Sequence, residues 1–227
     1  MKRQILPVIF TLAAYIAAAQ TPPSAAETTR PAPGAEEALE SLLEKPALVK
    51  PARAAPLGKN WFRMETDAHI FTTQVTVKQV AAVFMDLENV SEYYNGKKSS
   101  LEGKVVGQQA GGTVVDFITR SFAGPITIKT PYRALVTNIA NTPTKVANEV
   151  RQQADDSATN KDIKNLFATR YAEEVKIGGK TYTYIRIYTI DDVNASILPG
   201  AQGALERGGA PINTETLEMI IAAARRK

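Results

Sequence analysis

The chain has 227 residues, 44% of them hydrophobic, with a formal net charge of +4, one histidine and no cysteine. That length can bury one ordinary core and still leave an extension. The lack of cysteine excludes disulfides, thiolate chemistry and cysteine metal sites, and the weak, scattered charge argues against a nucleic-acid groove.

Residues 1–19 read as a secretory signal peptide. Lys2 and Arg3 form a basic start, Ile5 to Ala19 is apolar, and Ala17-Ala18-Ala19 supplies the small residues that precede a cleavage site before Gln20. The mature chain is then exported, to the periplasm or beyond, with a charge of about +2. Residues 20–58 read as a Pro/Ala-rich linker, because Pro22, Pro23, Pro31, Pro33, Pro46, Pro51 and Pro56 deny it long regular structure. Within it, 35–45 can form a short amphipathic helix through Leu39, Leu42 and Leu43, and this arm is a candidate contact for a protein partner.

A folded domain is expected over 59–227. Trp61–Glu65 and Ala68–Val77 read as two strands around a Thr66-Asp67 turn. A helix follows, with Val80, Val83, Phe84 and Leu87 at helical spacing and an end at Asp86-Leu87-Glu88-Asn89. A short second helix runs over Val90–Tyr94. Strands are then expected at Leu101–Gln108, Thr113–Ser121, Ile126–Ile139 through Pro131, Thr144–Gln152, Phe167–Ile177 and Lys180–Asp191. Gly111-Gly112, Gly124-Pro125 and Gly178-Gly179 mark turns, and Asp155–Asp162 reads as a polar loop. The last element is a helix over Asn213–Lys227, with Leu217, Ile220, Ile221 and Ala224 on one face. Gly208-Gly209 and Pro211 mark a break before it, and Asn213 is the expected cap. The class is α+β: a curved antiparallel β-sheet wrapped around a C-terminal α-helix, with a short helix pair after the second strand.

The chemistry is sparse. His69 stands alone in a strand, so a histidine zinc site or a catalytic triad lacks its partners, and it reads as a surface or strand-edge residue. The Asp155, Asp156, Asn160, Asp162 group lacks the glycine and alternate ligand spacing of a calcium loop, and it and Asp191-Asp192 read as solvated turns. No residue is assigned to catalysis, to a metal or to a cofactor. In the last strand Tyr182, Tyr184, Arg186 and Tyr188 face one way and Thr183, Ile185, Ile187 and Thr189 the other. Either the isoleucines point inward, or the tyrosines do, with Arg186 opposite a carboxylate such as Asp116 because a buried unpaired arginine is too costly. The candidate lining of a ligand pocket is Phe84, Tyr94, Val115, Phe117, Tyr184, Ile185, Arg186, Ile187, Leu217 and Ile221.

Three stretches carry a resemblance. Val77 to Tyr94 is an apolar helix ending in Asp and a short helix ending in an aromatic; Pro131-Tyr132-Arg133-Ala134 opens a central strand; Ile197-Leu198-Pro199-Gly200 precedes the last helix. Together with the element order they resemble the START-like, or helix-grip (SRPBCC), superfamily of lipid-transfer domains, polyketide-cyclase relatives and plant pollen allergens. The resemblance covers about Asn60 to Lys227 and departs from the family at Gly208-Gly209-Ala210-Pro211. It implies a pocket between sheet and terminal helix that takes a lipid or another apolar molecule for carriage or storage, with transient membrane contact. A cyclase or hydrolase in the same pocket, or a non-catalytic protein-interaction module, are the alternatives.

Overall fold

The computed structural model describes residues 43–123, 126–198 and 200–227. The signal peptide and most of the 35–45 helix expected from the sequence lie outside these residues; Leu43 to Lys45 form a bridge, a turn and a bend. The elements are β1 (Ala47–Gly58), β2 (Trp61–Thr72), α1 (Val77–Met85), α2 (Val90–Tyr93), β3 (Ser99–Gln109), β4 (Gly112–Ala123), β5 (Ile126–Thr142), β6 (Lys145–Gln152), α3 (Ala154–Thr159), β7 (Ile163–Ile177), β8 (Lys180–Asn194) and α4 (Ala201–Ala224). All eight strands form one antiparallel sheet in the order β1-β2-β8-β7-β6-β5-β4-β3. This is the expected α+β helix-grip arrangement, a curved antiparallel sheet closed over by the last helix.

Several boundaries differ from the sequence reading. The segment read as linker ends in strand β1, whose Pro51 and Pro56 are tolerated because β1 is an edge strand, paired only with β2. Glu44 fixes its approach: its carboxylate accepts from the Thr72 and Thr73 hydroxyls and the Thr73 amide at 2.6–2.7 Å. These bonds bring its pKa down to about 2 against an opposing desolvation. Thr66-Asp67 is no turn but the middle of β2, which pairs without interruption with β8 from Trp61 to Thr72. The strand stops there because Thr76 caps α1, in a capping box with Gln79. Val77, Val80, Val83 and Phe84 then turn into the core. The expected polar loop at 155–162 contains the short helix α3. Asp191-Asp192 is not a turn either, since β8 continues to Asn194.

The largest departure is in α4, a single helix of 24 residues with Pro211 inside it. Gly200, at φ 59°, starts it in place of the expected cap Asn213, which is buried within the helix. Pro211 withholds one N–H, so the carbonyl a turn earlier loses its usual donor. The Gly208-Gly209 pair read as a break serves close approach instead: a Cβ on Gly209 would lie 3.2 Å from Thr66 Cγ2 and 3.3 Å from Met64 Cε. The C-terminal half of α4 buries Leu217, Ile220, Ile221, Ala223 and Ala224, whereas the half before Asn213 has no buried residue. Glu215 ties the helix to the α2–β3 link by accepting from the amides of Lys97 (2.8 Å) and Lys98 (2.9 Å). Lys227 pairs with Asp86 at 3.0 Å.

Gly112 opens β4 where β5 runs tight against it; a Cβ there would sit 2.2 Å from the Val136 carbonyl oxygen. Gly112→Ala is expected to lose roughly 2–4 kcal/mol of stability. A urea midpoint equal to that of the wild type would contradict this packing.

Candidate functional site

Alternation along the strands decides which side chains face α4. In β8, Ile185, Ile187, Thr189, Asp191 and Val193 point inward, in register with Ala68, Met64 and their neighbours on β2. In β7 the inward set is Leu166, Ala168, Arg170 and Ala172, with Arg170 opposite Ile187. Under the N-terminal half of α4 this inner face is not filled. A cavity of about 600 Å³ remains, bordered by the sheet, by Tyr94 at the end of α2, and by Leu205, Gly208, Gly209 and Asn213 of α4. Small side chains in that half of the helix leave the space open.

The sequence-based lining residues fall into three groups. Tyr94, Phe117 and Ile187 border the cavity. Phe84, Val115, Ile185, Leu217 and Ile221 are buried in the main core and do not border it. Tyr184 and Arg186 are on the opposite, outer face of the sheet. Arg186 pairs there with Asp67 at 2.6 Å and not with Asp116, which pairs with Arg133 at 2.6 Å. The isoleucines therefore take the inner face. The outer row is nonetheless buried: Tyr182 and Tyr184 pack with Phe71, Ala147 and Tyr171 in a second cluster. His69 is buried among them, edge-on to Phe71 and Tyr184 at 5.5 and 5.8 Å, and is not a surface residue. Burial lowers its pKa.

Sequence reasoning missed the polar groups in the cavity. Asp191 lies deep in the fold, and the cavity it borders accounts for the surface it keeps. Its carboxyl has no hydrogen bond among the described residues, and burial, then the charge of Asp192, pushes its pKa up to about 7. Its neighbour Asp192 faces outward and is satisfied by Arg63 (2.7 Å) and Asn165 (2.7 Å). Tyr132, its ring 5.4 Å from Phe117, also borders the cavity; burial raises its pKa to about 12, and it feels the charges of Asp191 and Arg170. Among the described residues, three buried polar atoms have no partner, and all three residues border this cavity: Tyr94 Oη, Arg170 Nη2 and Asn213 Nδ2. The signal for Arg170 was present, since strand alternation sets it beside Leu166, Ala168 and Ala172. The same alternation, carried two residues further along β8, reaches Asp191.

No protein-family model matches the chain, and no curated protein does. Among solved structures it is similar to the aromatase/cyclase Zhui from Streptomyces sp. R1128, at 11% identity and a TM-score of 0.45, covering 73% of this chain and 94% of that one. It is similar to norcoclaurine synthase from Thalictrum flavum, solved with dopamine and hydroxybenzaldehyde, at 13% identity and a TM-score of 0.42, covering 76% and 92%. A third is protein Ms6760 from Mycobacterium smegmatis, at 13% identity and a TM-score of 0.39, covering 79% and 96%.

Asp191 makes stability depend on pH in a definite direction. Its folded pKa of about 7 lies above the unfolded value of about 3.9, so the native state holds the extra proton between them. Its contribution to stability falls as pH rises through that window, and the penalty is complete above pH 7. Asp191→Asn is expected to be more stable than the wild type by roughly 2–4 kcal/mol at pH 8, with the pH-dependent part of this gain gone below pH 4. A difference between the two proteins that is the same in denaturant titrations at both pH values would place the carboxyl in water.

Proposed function

We propose that the protein binds an apolar small molecule, lipid or lipid-like, between the sheet and the N-terminal half of α4, for carriage or storage. The carrying observation is the unfilled cavity of about 600 Å³, walled mainly by apolar side chains with a few polar groups converging on it. Concave, largely apolar spaces of this size with sparse polar groups are typical small-molecule sites. Affinity comes from apolar area leaving water, about 25 cal/mol per Å² before the losses of association. The unfilled space weighs against a purely structural interaction module. The leader-like residues 1–19 support export as part of the same reading.

A second reading, an enzyme in the same cavity, is favoured by Asp191. A carboxyl titrating near neutrality in a water-poor space suits general acid–base work. Conversion of a bound compound by the wild type but not by Asp191→Asn would establish it.

Protein purified without detergent should carry an apolar compound visible by native mass spectrometry. Thr189→Phe and Ala204→Phe, which push bulk into the cavity, should lower its recovery about tenfold or more while circular dichroism stays unchanged. Wild-type protein that is both empty and unable to take up an apolar fluorophore would end this reading.

A further inference from the structure

We propose that the ligand of this cavity is an apolar carboxylate, held by its anionic end at the Nη edge of Arg170; this rests on the binding function proposed above. Arg170 enters the inner face from β7 and is only 7% exposed. Its Nε–H donates to Asn148 Oδ1 at 2.9 Å, and Asn148 in turn donates through Nδ2 to the Phe84 carbonyl at 3.2 Å. The guanidinium carbon lies 5.4 Å from the centre of the Phe84 ring. Asn148 and Phe84 therefore fix the plane of the group and occupy its Nε side. The Nη side is left over, and no acceptor among the described residues meets Nη2.

What is missing is a counter-charge. The ion pairs among the described residues join Arg63, Arg120, Arg133, Arg151, Arg186 and Lys227 to carboxylates, and none includes Arg170. A guanidinium keeps its charge at any ordinary pH, and a buried charge without a partner is costly. Asp191, the acid on the neighbouring strand, forms no ion pair with it. The other two unpartnered atoms, Tyr94 Oη and Asn213 Nδ2, can also donate, so three unmet donors border the cavity, while Asp191, the acid that also borders it, is pushed toward its neutral form by burial. Its border agrees: Lys98, Lys129 and Arg207 are exposed there against the single exposed acid Asp162. A carboxylate matches the two-nitrogen edge of one guanidinium, whereas a phosphate dianion brings more charge than one buried cation balances. The apolar body of the ligand then lies along Phe117, Leu166 and Ile187.

The test uses matched ligands and isothermal titration calorimetry at pH 7 on the whole protein. Dodecanoate is compared with dodecanol and dodecyl phosphate, and 1-naphthylacetate with 2-(1-naphthyl)ethanol. The wild type should prefer at least one carboxylate over its alcohol by about tenfold or more, since a charge-assisted bond exceeds a neutral one. Arg170→Met should bind acid and alcohol alike, and Arg170→Lys should restore part of the preference. The ratio of the two affinities isolates the charge from any general loss of packing in the variants. Equal affinities in the wild type, a preference that survives in Arg170→Met, or tighter binding of the phosphate each overturn the carboxylate while leaving an apolar site standing. Failure of every ligand to bind overturns both.

Discussion

Burial of one half of α4 sets everything else. Leu217 and Ile220 are fully enclosed and Ile221 nearly so, against β1, β2 and α1. Three such aliphatic side chains contribute about 1.5–3 kcal/mol each on leaving water, which anchors the C-terminal turns firmly. The helix is rigid, so its earlier turns must continue over the sheet whether or not they have anything large to bury. They bury none of their side chains fully: apart from Leu205 and Ile212 the apolar residues of that stretch are Ala, Gly and Pro. Close approach at Gly209 lowers the helix onto β2 at one point, and the neighbouring space stays unfilled.

The two faces of the sheet treat charge in opposite ways. On the outer face the buried and half-buried charges described above have partners: Arg186 with Asp67 and Arg63 with Asp192. Beside the aromatic cluster around Tyr184, Arg186 and Asp67 are largely withdrawn from water and meet each other's charge. On the inner face, Arg170 has no ion-pair partner among the described residues and Asp191 is driven toward its neutral form. Native interiors rarely leave polar groups unmet, and where they do, the group commonly serves something other than folding. The contrast within one sheet separates the structural face from the chemical one.

Most of the architecture was legible in the sequence because it rests on strong local signals. Glycine pairs named the hairpins at Gly111-Gly112 and Gly178-Gly179, helical spacing named α1, and Leu217 to Ala224 named the end of α4. What was not legible depended on neighbours distant in sequence. Strand β1 is proline-marked and exposed, so nothing local reveals that β2 completes its hydrogen bonds. Gly208, Gly209 and Pro211 weaken an isolated helix, yet here the helix runs through them, with close approach to β2 at Gly209 and its C-terminal half held in the core. The site divided along the same line. Apolar periodicity pointed to the inner face but not to which part of it stays open, so Phe84, Val115 and Leu217 proved to be core while Phe117 and Ile187 reached the cavity. Arg170 and Asp191 were readable only by treating a charge in an apolar row as a signal.

The adjacency of Asp191 and Asp192 has a consequence for folding. Antiparallel strands as long as β8 offer many alternative alignments one step apart, and each step exchanges the two faces. A shift by one residue would carry Asp192 away from Arg63 and into the hollow interior, turn Arg186 away from Asp67, and send Ile185 and Ile187 outward among the tyrosines. A one-residue slip thus breaks both ion pairs at once. The acid that the interior tolerates and the acid beside it together act as an index mark against a one-residue slip of β8 on β2.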